Sequence, residues 1–401
     1  GTSHITFVVR DDARNAHILF KASDATWQAY NNYGGNSLYV GTITQYSLIG
    51  RAAKVSYNRP FKTRDLKPES FLFNADYPLL RWLERNGYDV NYSTDLDFER
   101  DATPITPAKN RVIVSPAHDE YWSLAERNRV EAARNAGVHL AFFSGNEVYW
   151  KTRWETSIDG NNTPHRTLVC FKEGTFGQGE YPCGQDYPAN ANCDPLAGMW
   201  TGLWRFGAAE DGGRPENALT GQISWIEKSS PLKVPAEFKD LRFWRNTSVA
   251  SLGAGQEASL GQDVLGYEFN YELDAFRSTY PSGRILMSST TVTGDGLGNT
   301  VMGRSYTHKL SLYRHSSGAL VFGAGTCQWA WGLDDYHDRE RRAPSVDLQQ
   351  ATVNLLADMN VQPATLQAGL VPATMSTDFT APTAVISFPA NNANFGQDGP
   401  I

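Results

Sequence analysis

The sequence predicts an α/β protein on a mostly parallel sheet, and three consecutive stretches carry that prediction. RVIVS at 111–115 is a β-branched run, SLAERNRVEAARN at 123–135 reads as a helix, and VHLAFF at 138–143 is a second apolar run. Strand, helix and strand at this spacing form a βαβ unit, which implies parallel pairing and a right-handed crossover. The middle element has its own start signal. Ser123 and Glu126 form a capping box, each side chain answering an orphan N–H of the other, and Gly137 can take the left-handed position past the helix end.

The other elements follow in chain order. GTSHITFVVR at 1–10 reads as a last strand of a preceding module, placed at 1–12. HILFKA at 17–22 is a short buried-type strand, and YDVNYST at 88–94 is another. Between them DYPLLRWLERNG reads as a helix from Asp76, with Asp as a cap, Pro in the first turn, Leu79, Leu80 and Leu83 on one face, and Gly87 as terminator. Residues 155–240 are rich in Gly, Pro, Asn and Trp and poor in periodicity, so they read as a long ordered insertion. LRFW, VLGYEF, RILMSS and ALVFGAG predict added strands between 241 and 330, and Val346–Met359 predicts a closing helix. These elements make one domain over 13–378. The segment 379–401, ending APTAVISFPANNANFGQDGPI, reads as a linker and the start of an immunoglobulin-like module.

Bulk properties narrow the function classes. A net charge of −7 with Lys and Arg dispersed offers no basic face, which argues against a nucleic-acid partner. No run of about 18 apolar residues is present to span a membrane. Of the four cysteines, Cys170, Cys183, Cys193 and Cys327, the pair Cys183–Cys193 would close a short loop as a disulfide, and no CxxC spacing suggests zinc. With the module-like ends, this favours a secreted or cell-surface bacterial protein carrying further immunoglobulin-like modules.

In a parallel α/β sheet, ligands bind outside the carboxyl ends of the strands. That rule selects PAHDEYW at 116–122 and SGNEVYW at 144–150, each directly after a predicted strand. His118 and Glu120 in the first loop, with Asn146 and Glu147 in the second, are the candidates for acid–base work. Adjacent residues point different ways, so His118, Asp119 and Glu120 cannot all serve one centre. Tyr121 and Tyr149 either converge with carboxylates on a metal or substrate, or pack as Tyr-Trp pairs with their hydroxyls satisfied by backbone. DDYHDRE at 334–340 reads as a solvated loop, and His308 and His315 as structural. No nucleophile elbow occurs at a strand end. Ser144 lacks the second glycine, so metal-activated water is a better mechanism than an acyl-enzyme.

The set WQAYNNYGGNSLY, SYNRP, WLERNGYDV, PAHDEYW, FFSGNEVYW, ALVFGAGTCQW and WGLD, spread over residues 15–365, resembles the domain named after the C-terminal region of the N,N-dimethylformamidase large subunit. The resemblance implies a glutamine-amidotransferase-like, flavodoxin-type fold. It also implies hydrolysis of a small amide or related C–N bond by mononuclear iron, Fe(III), held by two tyrosines and a glutamate, hard oxygen donors suited to that ion. Carried onto this chain, the ligands are Tyr121, Tyr149 and Glu268. The chain departs from the family in a shorter Tyr121–Tyr149 spacing, in Gly266 and Tyr267 where a histidine neighbours the glutamate, and in the insertion. Two other readings remain open: a carbohydrate-binding or polysaccharide-processing surface protein that uses its Trp and Tyr as glycan platforms, and a degenerate scaffold. The partner is thus a small-molecule or glycan substrate.

Overall fold

Runs of branched apolar residues are stable as strands only where both faces are covered, and such runs build most of the five-stranded parallel heart of a seven-stranded sheet. The computed structural model describes residues 4–40, 51–61, 71–173, 194–196, 199–206, 213–378 and 380. Its central sheet contains β1 (Ile18–Ala22), β2 (Val90–Thr94), β3 (Val112–Ala117), β4 (His139–Ser144), β5 (Ile285–Leu286), β6 (Ser311–Arg314) and β7 (Leu320–Gly323). The order across the sheet is β2-β1-β3-β4-β7-β6-β5. Strands β2, β1, β3, β4 and β7 run parallel, and β6 and β5 add antiparallel at one edge. The βαβ expectation holds, and the register from Val112 opposite His139 to Ala117 opposite Ser144 brings both following loops out side by side.

Period-two alternation puts neighbouring strand residues on opposite faces, and both faces here are dry. Phe143, Val112 and Val114 pack with Leu79, Trp82, Leu83, Phe322 and Trp329, whereas Phe142 and Ile113 pack with Trp122, Val130, Trp204 and Tyr313. Helix α1 (Asp24–Tyr30), α2 (Asp76–Arg85), α3 (Asp95–Arg100), α4 (Leu124–Asn135) and α5 (Val346–Asp358) supply most of the cover. The capping box of α4 is present in both directions, with Ser123 Oγ accepting from Glu126 N at 3.1 Å and Ser123 N donating to Glu126 Oε2 at 3.3 Å. Asp76 is not the cap of α2. It is the first helical residue, and its carboxylate accepts from Ser23 Oγ at 2.8 Å.

Several expectations are corrected. LRFW is not a strand: Arg242–Trp244 is a 3-10 turn. A strand would send Phe243 and Trp244 to opposite faces, and the turn lets both enter one core cluster, with Trp244 Nε1 donating to Met287 O at 2.8 Å. VLGYEF is split between strands Glu257–Leu265 and Glu268–Phe269, and of RILMSS only Ile285–Leu286 is extended. Residues 4–10 form no strand, and Arg10 pairs instead with Asp97 and with Asp101.

Between 155 and 240 the described parts include a strand at Thr167–Val169, which joins a small sheet with Trp150–Glu155, Tyr121–Ser123 and Lys54–Ser56. Cys183 and Cys193 lie outside the described residues, as does the tail after Thr380. Cys170 and Cys327 are buried free thiols, so no disulfide occurs among the described residues. No described helix is long and apolar enough to cross a membrane.

Candidate functional site

Both selected loops leave the sheet through strained backbone. Ala117, Asn146 and Val148 have φ of 49°, 48° and 56°, in the left-handed region that costs a non-glycine residue energy and a β-branched one most. Such strain clusters where surrounding contacts over-determine a functional geometry. Close approach adds to it. A Cβ on Gly145 would lie 2.6 Å from Cys327 N, so only glycine lets the second loop press against the chain after β7.

Residues 118–120 divide as their alternation requires. Asp119 turns one way, into a buried cluster with Lys21: Lys21 Nζ lies 2.8 Å from Asp119 and 2.8 Å from Glu126, and also pairs with Asp95. Asp119 accepts further from Ser115 Oγ at 2.7 Å and Trp122 Nε1 at 2.9 Å. Burial alone would lower the Lys21 pKa, but the three carboxylates outweigh it and hold the ammonium charged, well above the ordinary lysine value.

His118 and Glu120 turn the other way and meet Glu268 from the short strand Glu268–Phe269. His118 Nε2 stands 3.1 Å from Glu268 Oε2 and 3.4 Å from Glu120 Oε2, and Nδ1 lies 2.7 Å from the Tyr267 hydroxyl. Asn146 Nδ2 donates to Glu268 Oε2 at 2.9 Å and approaches Glu120 Oε1 at 3.4 Å. Glu120 Oε1 also accepts from Tyr39 OH at 2.6 Å and Trp150 Nε1 at 2.8 Å. Burial lowers the His118 pKa, yet the facing carboxylates of Glu268 and Glu120 win and raise it to about 8. Burial raises Glu268, with His118 opposing.

Thus four sequence candidates, His118, Glu120, Asn146 and Glu268, come together. Tyr121 sits at the edge of the group: its fully buried ring lies edge-on to Tyr39, and the two hydroxyls are hydrogen-bonded to each other. Tyr149 does not face this group. Its ring lies between Trp225 and the Arg205 guanidinium in the wall of a separate cleft. Glu147 is buried, and burial pushes its pKa to about 8 against the opposing hydrogen bond from Thr220.

Tyr30, Tyr39, Tyr267, Cys327 and Lys172 were not singled out from sequence. Tyr30 stacks on Tyr39 at 4.2 Å, and Cys327 Sγ, His118 and Glu268 offer sulfur, nitrogen and oxygen within 4.8 Å of one another. Lys172 Nζ lies 3.2 Å from the Tyr39 ring centre and 4.5 Å from that of Trp150, and burial lowers its pKa to about 7. A lysine or tyrosine in an apolar setting marks such a place only if burial is known, which a single sequence does not give.

The donor chemistry suits a cation. Glu120 Oε2 is buried without a hydrogen bond beside a second carboxylate and an imidazole. A second acidic group, Asp95, Asp119 and Glu126, has the spacing of a metal site too, but there the Lys21 ammonium already occupies the centre.

The mixed α/β domain thus carries a buried carboxylate–histidine cluster at the carboxyl edge of a mostly parallel sheet, where such folds bind their ligands. The chain matches the family described as N,N-dimethylformamidase beta subunit-like, C-terminal, over residues 1–341, and belongs to it. A search of curated proteins finds no match. Membership points to a dimethylformamidase-like hydrolase, a class that is metal-dependent in general.

Proposed function

We propose that this protein hydrolyses a small amide or related C–N bond at a metal, iron by the family's example, bound in the Glu268 cluster. The observation that carries the reading is the set of buried acceptors around His118: Glu268 at 3.1 Å and Glu120 at 3.4 Å, with Glu120 Oε2 lacking any hydrogen bond. Glu268 and Tyr121 are the ligands with the most support. Burial keeps the Tyr121 phenol protonated, its pKa well above 10, so binding would displace that proton. Tyr149, the third ligand that the resemblance implies, keeps its ring in the wall of the separate cleft, and only its backbone is tied to the cluster, Tyr149 N donating to Glu120 O at 3.0 Å.

A metal there would polarise the substrate carbonyl and acidify water. The remaining chemistry falls to the chain. Hydrolysis places a hydroxyl on the acyl carbon and a proton on the departing amine. Glu120 takes the proton from water, and His118 gives one to the nitrogen, its pKa of about 8 suiting a donor near neutral pH. Asn146 fixes Glu268, and Glu147 stays a neutral carboxylic acid behind the strained loop. Burial raises the Cys327 thiol well above 9, so it stays protonated and is a poor nucleophile.

The glycan reading has less support. Trp27, Trp82, Trp122, Trp150, Trp204, Trp244, Trp329 and Trp331 are buried, and serve packing rather than exposed stacking platforms. The strand order from β2 through β4 supports the flavodoxin-type assignment.

Elemental analysis of protein purified without chelators tests the reading. We expect about one iron per chain, falling at least tenfold in Glu268→Gln and in Tyr121→Phe. A folded, metal-free wild type would sink it.

A further inference from the structure

A cleft of about 430 Å³ lies beside the buried cluster and has no part in the chemistry just described. Two edge-to-face aromatic pairs line it: Tyr149 with Trp225, centres 6.4 Å apart, and Tyr271 with Tyr306, centres 4.9 Å apart. Two arginines face it, and they differ. Arg205 is buried and closed off by Glu216, its Nε 3.1 and 3.2 Å from the two carboxylate oxygens. Arg304 lies over the Tyr271 and Tyr306 rings at 5.9 and 5.1 Å, and among the described residues no carboxylate pairs with it. Asp274, also on the lining, is 93% exposed and turned to Arg277 at 3.1 Å. In a comparable cleft of about 390 Å³ beside Pro104, the lining arginine is instead satisfied: Arg129 pairs with Asp101 at 3.2 Å.

A guanidinium set beside aromatic rings with no carboxylate on it is placed without being neutralised. It presents a planar fork that matches a carboxylate two bonds at a time. The aromatic walls take a flat ring by offset or edge contact, and the volume is that of a small-molecule site. We propose that this cleft binds a flat organic anion, an aryl or conjugated carboxylate, with the carboxylate on Arg304 and the flat part against Trp225 and Tyr306. Tyr149 stands both in this wall and in the loop bonded to Glu120, so the bound molecule lies next to the proposed centre. That the anion is part of the hydrolase's substrate rests on the proposed function; that the cleft binds it does not.

The test is calorimetric titration of the full chain with benzoate and with benzamide, its neutral analogue of the same shape, before and after chelator treatment. We expect benzoate to bind at least tenfold more tightly than benzamide, the difference to vanish in Arg304→Gln, and the result to survive metal removal. Arg304 is exposed, so this variant keeps its fold. Equal binding of the two probes, no binding of either, or benzoate binding unchanged in Arg304→Gln would each overturn the proposal. So would loss of benzoate binding on chelation, since it places the carboxylate on the metal. Arg304-dependent binding by a protein with no metal would uphold the cleft and remove the hydrolase.

Discussion

Residues 118–120 run between two buried acidic clusters, and the clusters differ in whether the chain supplies the cation. On one side Asp95, Asp119 and Glu126 surround Lys21, whose ammonium is fully buried and contacts all three. On the other, Glu120 and Glu268 face His118, a group that is cationic only while protonated, and Glu120 leaves one oxygen without a hydrogen bond. Burying charges is tolerable only when they are paired and hydrogen-bonded. The first cluster meets that condition from within the sequence and is therefore structural. The second meets it fully only with something from outside, which is the reason we propose it as the functional one.

The comparison can be broken or sharpened by experiment. The largest effect should come from Lys21→Met, which leaves three buried carboxylates around an apolar side chain. Removing one partner of a buried pair costs roughly 3–5 kcal/mol, so urea titration should show a loss of that size, partly recovered when Asp119→Asn is added. A variant as stable as wild type would mean the cluster is hydrated and the contrast false.

A smaller effect separates the two sides by pH. The His118 pKa is raised from its ordinary 6.5 to about 8 in the folded protein, so the folded state holds the proton more tightly than the unfolded chain. Its contribution, about 2 kcal/mol at the usual value per unit, is complete below about pH 6.5 and lost as pH rises through 8. Metal-stripped protein should lose stability over that window, and His118→Asn should flatten the loss. The Lys21 side should not respond there, because its pKa lies far higher.

Glu268→Gln should change stability of the metal-stripped protein by under about 1 kcal/mol, because the amide still accepts from Asn146 and one of two facing carboxylates is gone. A loss comparable to that of Lys21→Met would make Glu268 structural. The smallest effect is expected for Ala117→Gly, where φ is 49°. Relief of strain should offset the lost methyl, giving a net gain of roughly 0.5 kcal/mol in the denaturation midpoint.

How much of this was readable from the chain follows from range. The capping box at Ser123 and Glu126, the strand runs and the Gly137 stop are local signals, and the mostly parallel sheet they implied is present. His118, Glu120 and Asn146 were nameable because they follow strand ends, whereas Glu268 was nameable only through the family resemblance. Lys21 was passed over because HILFKA reads as an ordinary apolar strand. A lysine inside such a run is itself a signal, since its buried end demands carboxylates from elsewhere. Tyr39 reaches Glu120 across 81 positions and gave no local sign. LRFW failed for a physical reason: apolar content says that a segment is buried, and only alternation says that it is extended.

The Gly145 contact with Cys327 has a consequence for how the molecule is made. Tyr39, His118, Glu120, Asn146, Glu268 and Cys327 come from both ends of the described chain, and the last enters only with the segment after β7. During synthesis the nascent polypeptide therefore carries its acidic loop long before the partners that would enclose an ion. On the proposed function, metal capture would wait until these later segments have emerged, and a product that ends before them would be inert rather than partly active.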